Sequence, residues 1–142
     1  VNKLSLTLLT RAEVPEGCDP LALIWDLDNW KNSLSRVRDI RLVSSTATYQ
    51  HFFMLFEAGY DQPDTVEIER WFSDSVITVK HLVPPPGILS LEADWWVDDV
   101  IPSQLFSRRK IILEESAYSP SLAKKMFLIL RENITSLTGN ML

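Results

Sequence analysis

Cysteine, glycine and histidine are scarce in this 142-residue chain, and each scarcity removes a class of function. A single cysteine, Cys18, allows neither an internal disulfide nor a cysteine-rich metal site. Only four glycines are present, with no G-x-G-x-x-G and no P-loop among them, which disfavours a phosphate-cradling loop. G-x-S-x-G is also missing, and Ser73, Ser107 and Cys18 lack a recognisable neighbouring base, so no nucleophile constellation stands out. The two histidines, His51 and His81, lie far apart; a zinc site would need Asp or Glu ligands and has no recognisable spacing. No metal and no cofactor are expected. No apolar run approaches the ~20 residues of a membrane span, and the N-terminus lacks the pattern of a signal peptide. A cytoplasmic setting without a membrane partner fits. The net charge of −5 argues against nucleic acid, and the one dense basic cluster, Arg108-Arg109-Lys110, reads as a solvated strand edge. The chain starts at Val1 rather than methionine, which is consistent with trimming or excision from a longer protein.

What remains is an ordinary globular composition, 46% apolar and 23% charged, sized for one domain over residues 1–142. Leu4, Leu6 and Leu8 open an alternating strand whose apolar face continues through Thr10, Ala12 and Val14. Pro15-Glu16-Gly17 ends it, and Asp19-Pro20 reads as an N-cap with proline at the first helical position. A short helix with Leu21, Ile24, Trp25 and Leu27 follows until Asp28-Asn29 breaks the pattern, with a second helical turn from Trp30 to Leu34. Strand signals then run over 37–43, 49–56, 65–72, 76–83, 88–97 and 105–113. The breaks between them include Gly59 with Asp61-Gln62-Pro63-Asp64 and the Pro84-Pro85-Pro86-Gly87 corner, which stiffens a connection. Short connections predict an antiparallel meander. The chain closes on a helix capped by Ser119, with Pro120 in its first turn. Leu122, Met126, Phe127, Leu130, Ile134 and Leu137 form one stripe, and Gly139 is the stop. A curved sheet around such a helix buries both apolar faces and leaves room for a cavity.

Within the segment 65–72, alternation puts Val66, Ile68, Arg70 and Phe72 on one face and Thr65, Glu67, Glu69 and Trp71 on the other. An arginine among apolar residues keeps its charge, so it needs a carboxylate, a water-lined cavity or a ligand oxygen, unless it snorkels to the rim. His81 shares a face with Val79 and Ile77; a lone histidine there is either a titrating group or a hydrogen-bonded structural residue. Trp95 falls with Leu89, Leu91, Ala93 and Val97 on an apolar face, while Trp96 falls on the polar one, exposed, as a contact surface for a carrier domain or a second subunit. Around Phe52 both strand faces are apolar, which predicts cover on both sides or a homodimer contact.

Leu23-Ile24-Trp25-Asp26-Leu27 with Asn29-Trp30, the Val66 to Arg70 strand, Val79-Lys80-His81-Leu82-Val83, Pro86-Gly87 and Leu91-Glu92-Ala93-Asp94-Trp95 together resemble the START/Bet v1-like (SRPBCC) superfamily. Within it they resemble the polyketide aromatase/cyclase group. The resemblance covers nearly the whole chain. It departs at Trp30-Lys31, where members carry Trp-Pro, and at Leu82, where some carry a second arginine. It implies an α+β helix-grip fold: a curved antiparallel sheet of about seven strands around a long C-terminal helix, with two short helices after the first strand. It further implies a protein that binds a poly-β-ketone in an apolar cavity and directs aldol cyclisation and dehydration. Arg70 would then be the fixed cation and His81 the proton-transfer group, with Trp25, Trp30, Phe52, Ile68, Trp95, Met126 and Leu130 holding the substrate. The partner would be a hydrophobic or aromatic small molecule delivered by an acyl carrier protein. Two other readings stand beside it. One is a non-catalytic carrier or sensor of a lipid or similar molecule; the other is an interaction domain with a collapsed cavity.

Overall fold

The computed structural model describes residues 2–57 and 64–139. The expected break at Gly59 and Asp61-Gln62-Pro63 lies outside the described residues. Strands β1 (Lys3–Glu13), β2 (Val37–Ser45), β3 (Tyr49–Phe56), β4 (Thr65–Ser73), β5 (Val76–His81), β6 (Ile88–Val97) and β7 (Gln104–Glu114) form one sheet. Its order is β1-β7-β6-β5-β4-β3-β2, with every neighbouring pair antiparallel. Helices α1 (Pro20–Trp25) and α2 (Leu27–Ser33) join β1 to β2, and α3 (Pro120–Leu137) follows a 3-10 turn at Glu115–Ala117. This is the helix-grip arrangement that the sequence predicts.

Local chemistry accounts for the boundaries. The Asp19 carboxylate accepts from the backbone N–H groups of Leu21 and Ala22 (3.2 and 3.3 Å), and Pro20 occupies the first turn of α1. The break after α1 comes at Asp26, two residues earlier than Asp28-Asn29. Asp26 ends α1 in an extended conformation, and its side chain accepts from Asp28 N–H to start α2, so Asp28 and Asn29 are helical. At α3, Ser119 Oγ accepts from Leu122 N–H (3.0 Å), and Gly139 leaves the helix at φ +74°. Leu130, Ile134 and Leu137 are buried, and each such side chain contributes about 1.5–3 kcal/mol. The helix lies against β1 and α2. The main core gathers Ile24, Phe52, Ile77, Trp95, Leu105 and Ile134.

Alternation fails at one predicted inward residue. Leu89 is exposed rather than beside Leu91 and Ala93, because the β6–β7 register shifts between Ile88 and Ser90. The extra residue in that bulge turns Leu89 to the outside. The corner just before it is tightly built. Gly87 adopts φ +85°, its carbonyl accepts from Glu114 N–H (2.9 Å), and a Cβ there would meet the Ala117 Cβ at 2.8 Å. Gly17 has the same φ but open space around it. Gly87→Ala should therefore lower unfolding free energy by about 2 kcal/mol or more, against about 1 kcal/mol for Gly17→Ala. Paired denaturant titrations would measure the difference.

Candidate ligand cavity

Between the concave face of the sheet, α2 and the middle of α3 lies a cavity of about 200 Å³. Its wall is mostly apolar: Phe52, Ile68, Val79, Ala93 and Trp95 from the sheet, Trp30 from α2 and Met126 from α3. Val79 and Ala93 are cross-strand partners, and their small side chains leave room for the void. Trp30 and Trp95 meet edge to face at 6.2 Å.

Polar groups interrupt this wall at Arg70, Arg109, His81, Arg36 and Asn133. Arg70 is 1% exposed and, among the described residues, has neither the carboxylate partner nor the rim position expected for an inward arginine. Neutral oxygens hold it instead. Nε donates to Gln50 Oε1 (2.9 Å), Nη1 to the Ile24 carbonyl (2.7 Å), and Nη2 to the Trp25 carbonyl (2.9 Å) and to Gln50 Oε1. Gln50 faces Arg70 in the β3–β4 register, and its Nε2 donates to the same Trp25 carbonyl (3.0 Å). The rings of Trp25, Phe52 and Trp30 surround the guanidinium, with centroids 5.0, 5.3 and 5.6 Å from Cζ. Burial lowers the Arg70 pKa to about 9, so the group stays protonated at neutral pH.

The last carbonyls of α1 would be orphans in an isolated helix. Here Asp26 N–H donates to Ala22, Asn29 Nδ2 to Leu23 (2.9 Å), and Trp30 Nε1 to Ile24 (2.8 Å); Arg70 and Gln50 serve Ile24 and Trp25 as described. Asn29 Nδ2 also donates to the Leu137 carbonyl (3.0 Å), tying this corner to the end of α3. One side-chain cluster thus caps α1 and seats it on the sheet.

His81 and Arg109 lie on β5 and β7, the two strands that flank β6. Burial, and secondarily the charge of Arg109, push the His81 pKa down to about 3. Its imidazole is neutral near pH 7 and available as a hydrogen-bond donor or acceptor; it is far from the value that suits a general base there. Arg109 corrects the reading of Arg108-Arg109-Lys110 as a solvated edge. Strand β7 lies between β1 and β6, and Leu105, Ser107, Arg109, Ile111 and Leu113 form its inward face. Burial lowers the Arg109 pKa to about 10. The signal was available in the alternation, which places this arginine among apolar residues as it does Arg70.

Of the residues the sequence nominates, Arg70, His81, Trp30, Phe52, Ile68, Trp95 and Met126 line the cavity. Trp25 packs beneath Arg70 and against Phe72 at 5.5 Å, and Leu130 is buried without being part of the lining. Arg109, Arg36 and Asn133 join the lining without having been nominated. Trp96 is half-buried rather than exposed, stacked on Phe106 at 5.6 Å and under Arg108, which pairs with Asp94 at 3.2 Å. His51 pairs with Glu67 at 2.7 Å on the opposite face of β3 from Phe52. Among the described residues no group of three His, Cys, Asp or Glu could hold a metal, and no helix is long and apolar enough to cross a membrane.

Two outcomes follow from this geometry. Arg70→Lys keeps a charge but loses the planar fork, and should cost about 2 kcal/mol or more in a urea titration. For His81 the folded value of about 3 lies below its ordinary 6.5. Between these the unfolded chain takes up a proton that the folded one refuses, so stability is full above pH 6.5 and falls towards pH 3. His81→Phe should remove that share of the acid loss, seen as a smaller drop in urea midpoint from about pH 7 to about pH 4.5 than in the parent.

No family model matches the chain, and no curated protein matches it by sequence. Solved structures do match in three dimensions. The Zhui aromatase/cyclase from Streptomyces sp. R1128 superposes with a TM-score of 0.68 at 11% identity, covering 98% of this chain and 93% of that one. StfQ, a di-domain aromatase/cyclase from the steffimycin biosynthetic pathway, gives 0.77 at 16% identity over 96% of this chain and 50% of its own. Norcoclaurine synthase from Thalictrum flavum gives 0.69 at 10% identity, over 99% and 96%. At such identities the likeness is one of fold. The strand order, the two short helices after β1 and the sheet closed over α3 give this chain the START/Bet v1-like helix-grip fold of these proteins.

Proposed function

We propose that the protein is an aromatase/cyclase-like protein that binds a poly-β-ketone in its cavity and directs aldol closure followed by dehydration. The observation that carries this reading is an apolar cavity with fixed cations in its wall, in a fold whose solved neighbours include aromatase/cyclases. The walls formed by Trp30, Trp95, Phe52 and Ile68 would fold the flexible chain until one methylene carbon faces one carbonyl carbon, replacing much of the activation entropy. The attacking methylene reacts as the enol of its β-diketone. As the carbon–carbon bond forms, the enol O–H releases its proton to water, its oxygen returns to a carbonyl, and the attacked carbonyl oxygen becomes an alkoxide. A guanidinium held in place before reaction stabilises that charge without reorganising. Arg70 has five N–H donors, and four hydrogen bonds to protein leave one on Nη1 for that oxygen. The alkoxide then takes up a proton, and loss of water with a ring hydrogen completes the step. His81, neutral in this site, would orient a substrate carbonyl or enol by hydrogen bonding. An acyl carrier protein would deliver the thioester-bound chain.

A second reading, a non-catalytic carrier of a hydrophobic small molecule, is favoured by one feature. No lining residue among those described is a carboxylate, and His81 is held well below neutral pH. Product analysis separates the two. Added to a minimal polyketide synthase that releases unreduced poly-β-ketones, the protein should raise one ring isomer at least about threefold, a shift of about 0.65 kcal/mol or more in relative barrier. Ala93→Phe, which fills the cavity floor without removing a polar group, should abolish the shift while retaining a cooperative thermal transition. An unchanged product profile with the parent protein, alongside saturable ligand binding, would leave the carrier reading.

A further inference from the structure

The three arginines of the cavity are not equivalent. Arg36 stands 3.6 Å from Glu132. Arg70 has four of its donor bonds committed to Gln50 and the end of α1. Arg109 is different: its Nε is enclosed with no acceptor, and its guanidinium has no hydrogen bond or ion pair among the described residues. Its register partners are Ala93 on β6 and Leu8 on β1, and Ser107 and Ile111 flank it on the inward face of β7. None of these bears a charge, and no Asp or Glu lines the cavity among the described residues. A half-buried guanidinium that lines an apolar cavity without a counter-charge is costly unless an oxygen anion joins it.

The sheet register sets where the two cations lie relative to one another. Arg70 pairs with Val79, Val79 with Ala93, and Ala93 with Arg109, so three strand intervals separate them, about 14 Å of backbone at ordinary strand spacing. The floor between is small and apolar, and Trp95 and Met126 stand beside it. That is a slot for a ring with a polar group at one end. Resting on the cavity-ligand reading above, we propose that Arg109 is the anion-binding group of this cavity, and that the ligand class is an apolar, ring-sized molecule with one carboxylate bound at Arg109. Arg70 then contacts only a neutral or developing oxygen at the far end.

Isothermal titration calorimetry with two isosteric probes, 2-naphthoate and 2-naphthamide, tests this directly. The parent protein should bind the naphthoate about tenfold or more tighter than the amide, the value of one charge-assisted contact. Arg109→Met should erase that preference while leaving the amide affinity within about threefold of the parent, which also shows that the cavity is intact. Arg109→Gln serves if the methionine variant does not fold, and Arg108→Gln, on the outer face, should keep the preference. Equal affinities in the parent, a preference that survives loss of Arg109, or no binding of either probe would each overturn the proposal. Equal binding of both probes would leave the cyclase reading standing. A carboxylate preference in a protein that alters no polyketide product would sink that reading and leave this one.

Discussion

A single arginine that finds no carboxylate among the described residues organises one end of this molecule. Arg70 reaches from β4 to the carbonyl end of α1 and is steadied there by Gln50 from the next strand. Each participant solves a problem for another. The helix ends with carbonyls that have no intrahelical donors, and the guanidinium has donors that burial has stripped of water. Neutral acceptors satisfy the hydrogen bonds without cancelling the charge, and three aromatic faces add to the stabilisation. The interior therefore stays electropositive, which an Arg–Asp pair would not have allowed.

The position of the cavity depends on that latch. With α1 seated on Arg70 and Gln50, Asp26 can end one helix and begin the next, and α2 directs Trp30 onto Trp95. Asn29 fastens the same corner to the last turn of α3, so the helix is held at its far end while Met126 and Ile129 in its middle stand over the void. Small residues at Val79 and Ala93 keep the sheet floor low between two fixed cations. The void is thus framed by apolar walls and by a few polar groups with bonding capacity left over: one N–H of Arg70, the His81 imidazole and the unpartnered Arg109.

The strand alternation made much of this legible. Arg70, His81 and Trp95 were each placed inward by period two, whereas the strand of Phe52 is apolar on both faces and alternation alone assigns it no inward side; the caps at Asp19 and Ser119 were readable because their chemistry is local. Arg109 was equally placed by alternation, yet a run of three basic residues suggests solvent when charge density is read without strand position. Leu89 was misplaced because a bulge depends on pairing with β7, which no residue within β6 announces. The partners of Arg70 were illegible for a related reason. A carbonyl carries no residue identity, so nothing about Ile24 or Trp25 marks them as its acceptors.

By itself the sequence determined the order of the elements, their ends and which side chains share a face, since these follow from backbone periodicity and from contacts a few residues long. The choice of counter-groups was left to the tertiary structure: neutral oxygens for Arg70, none among the described residues for Arg109, and a neutral state for His81. Such choices turn on the desolvation of a group and on which atoms other strands and helices bring within about 3 Å of it. Those distances exist only once the sheet has closed over α3.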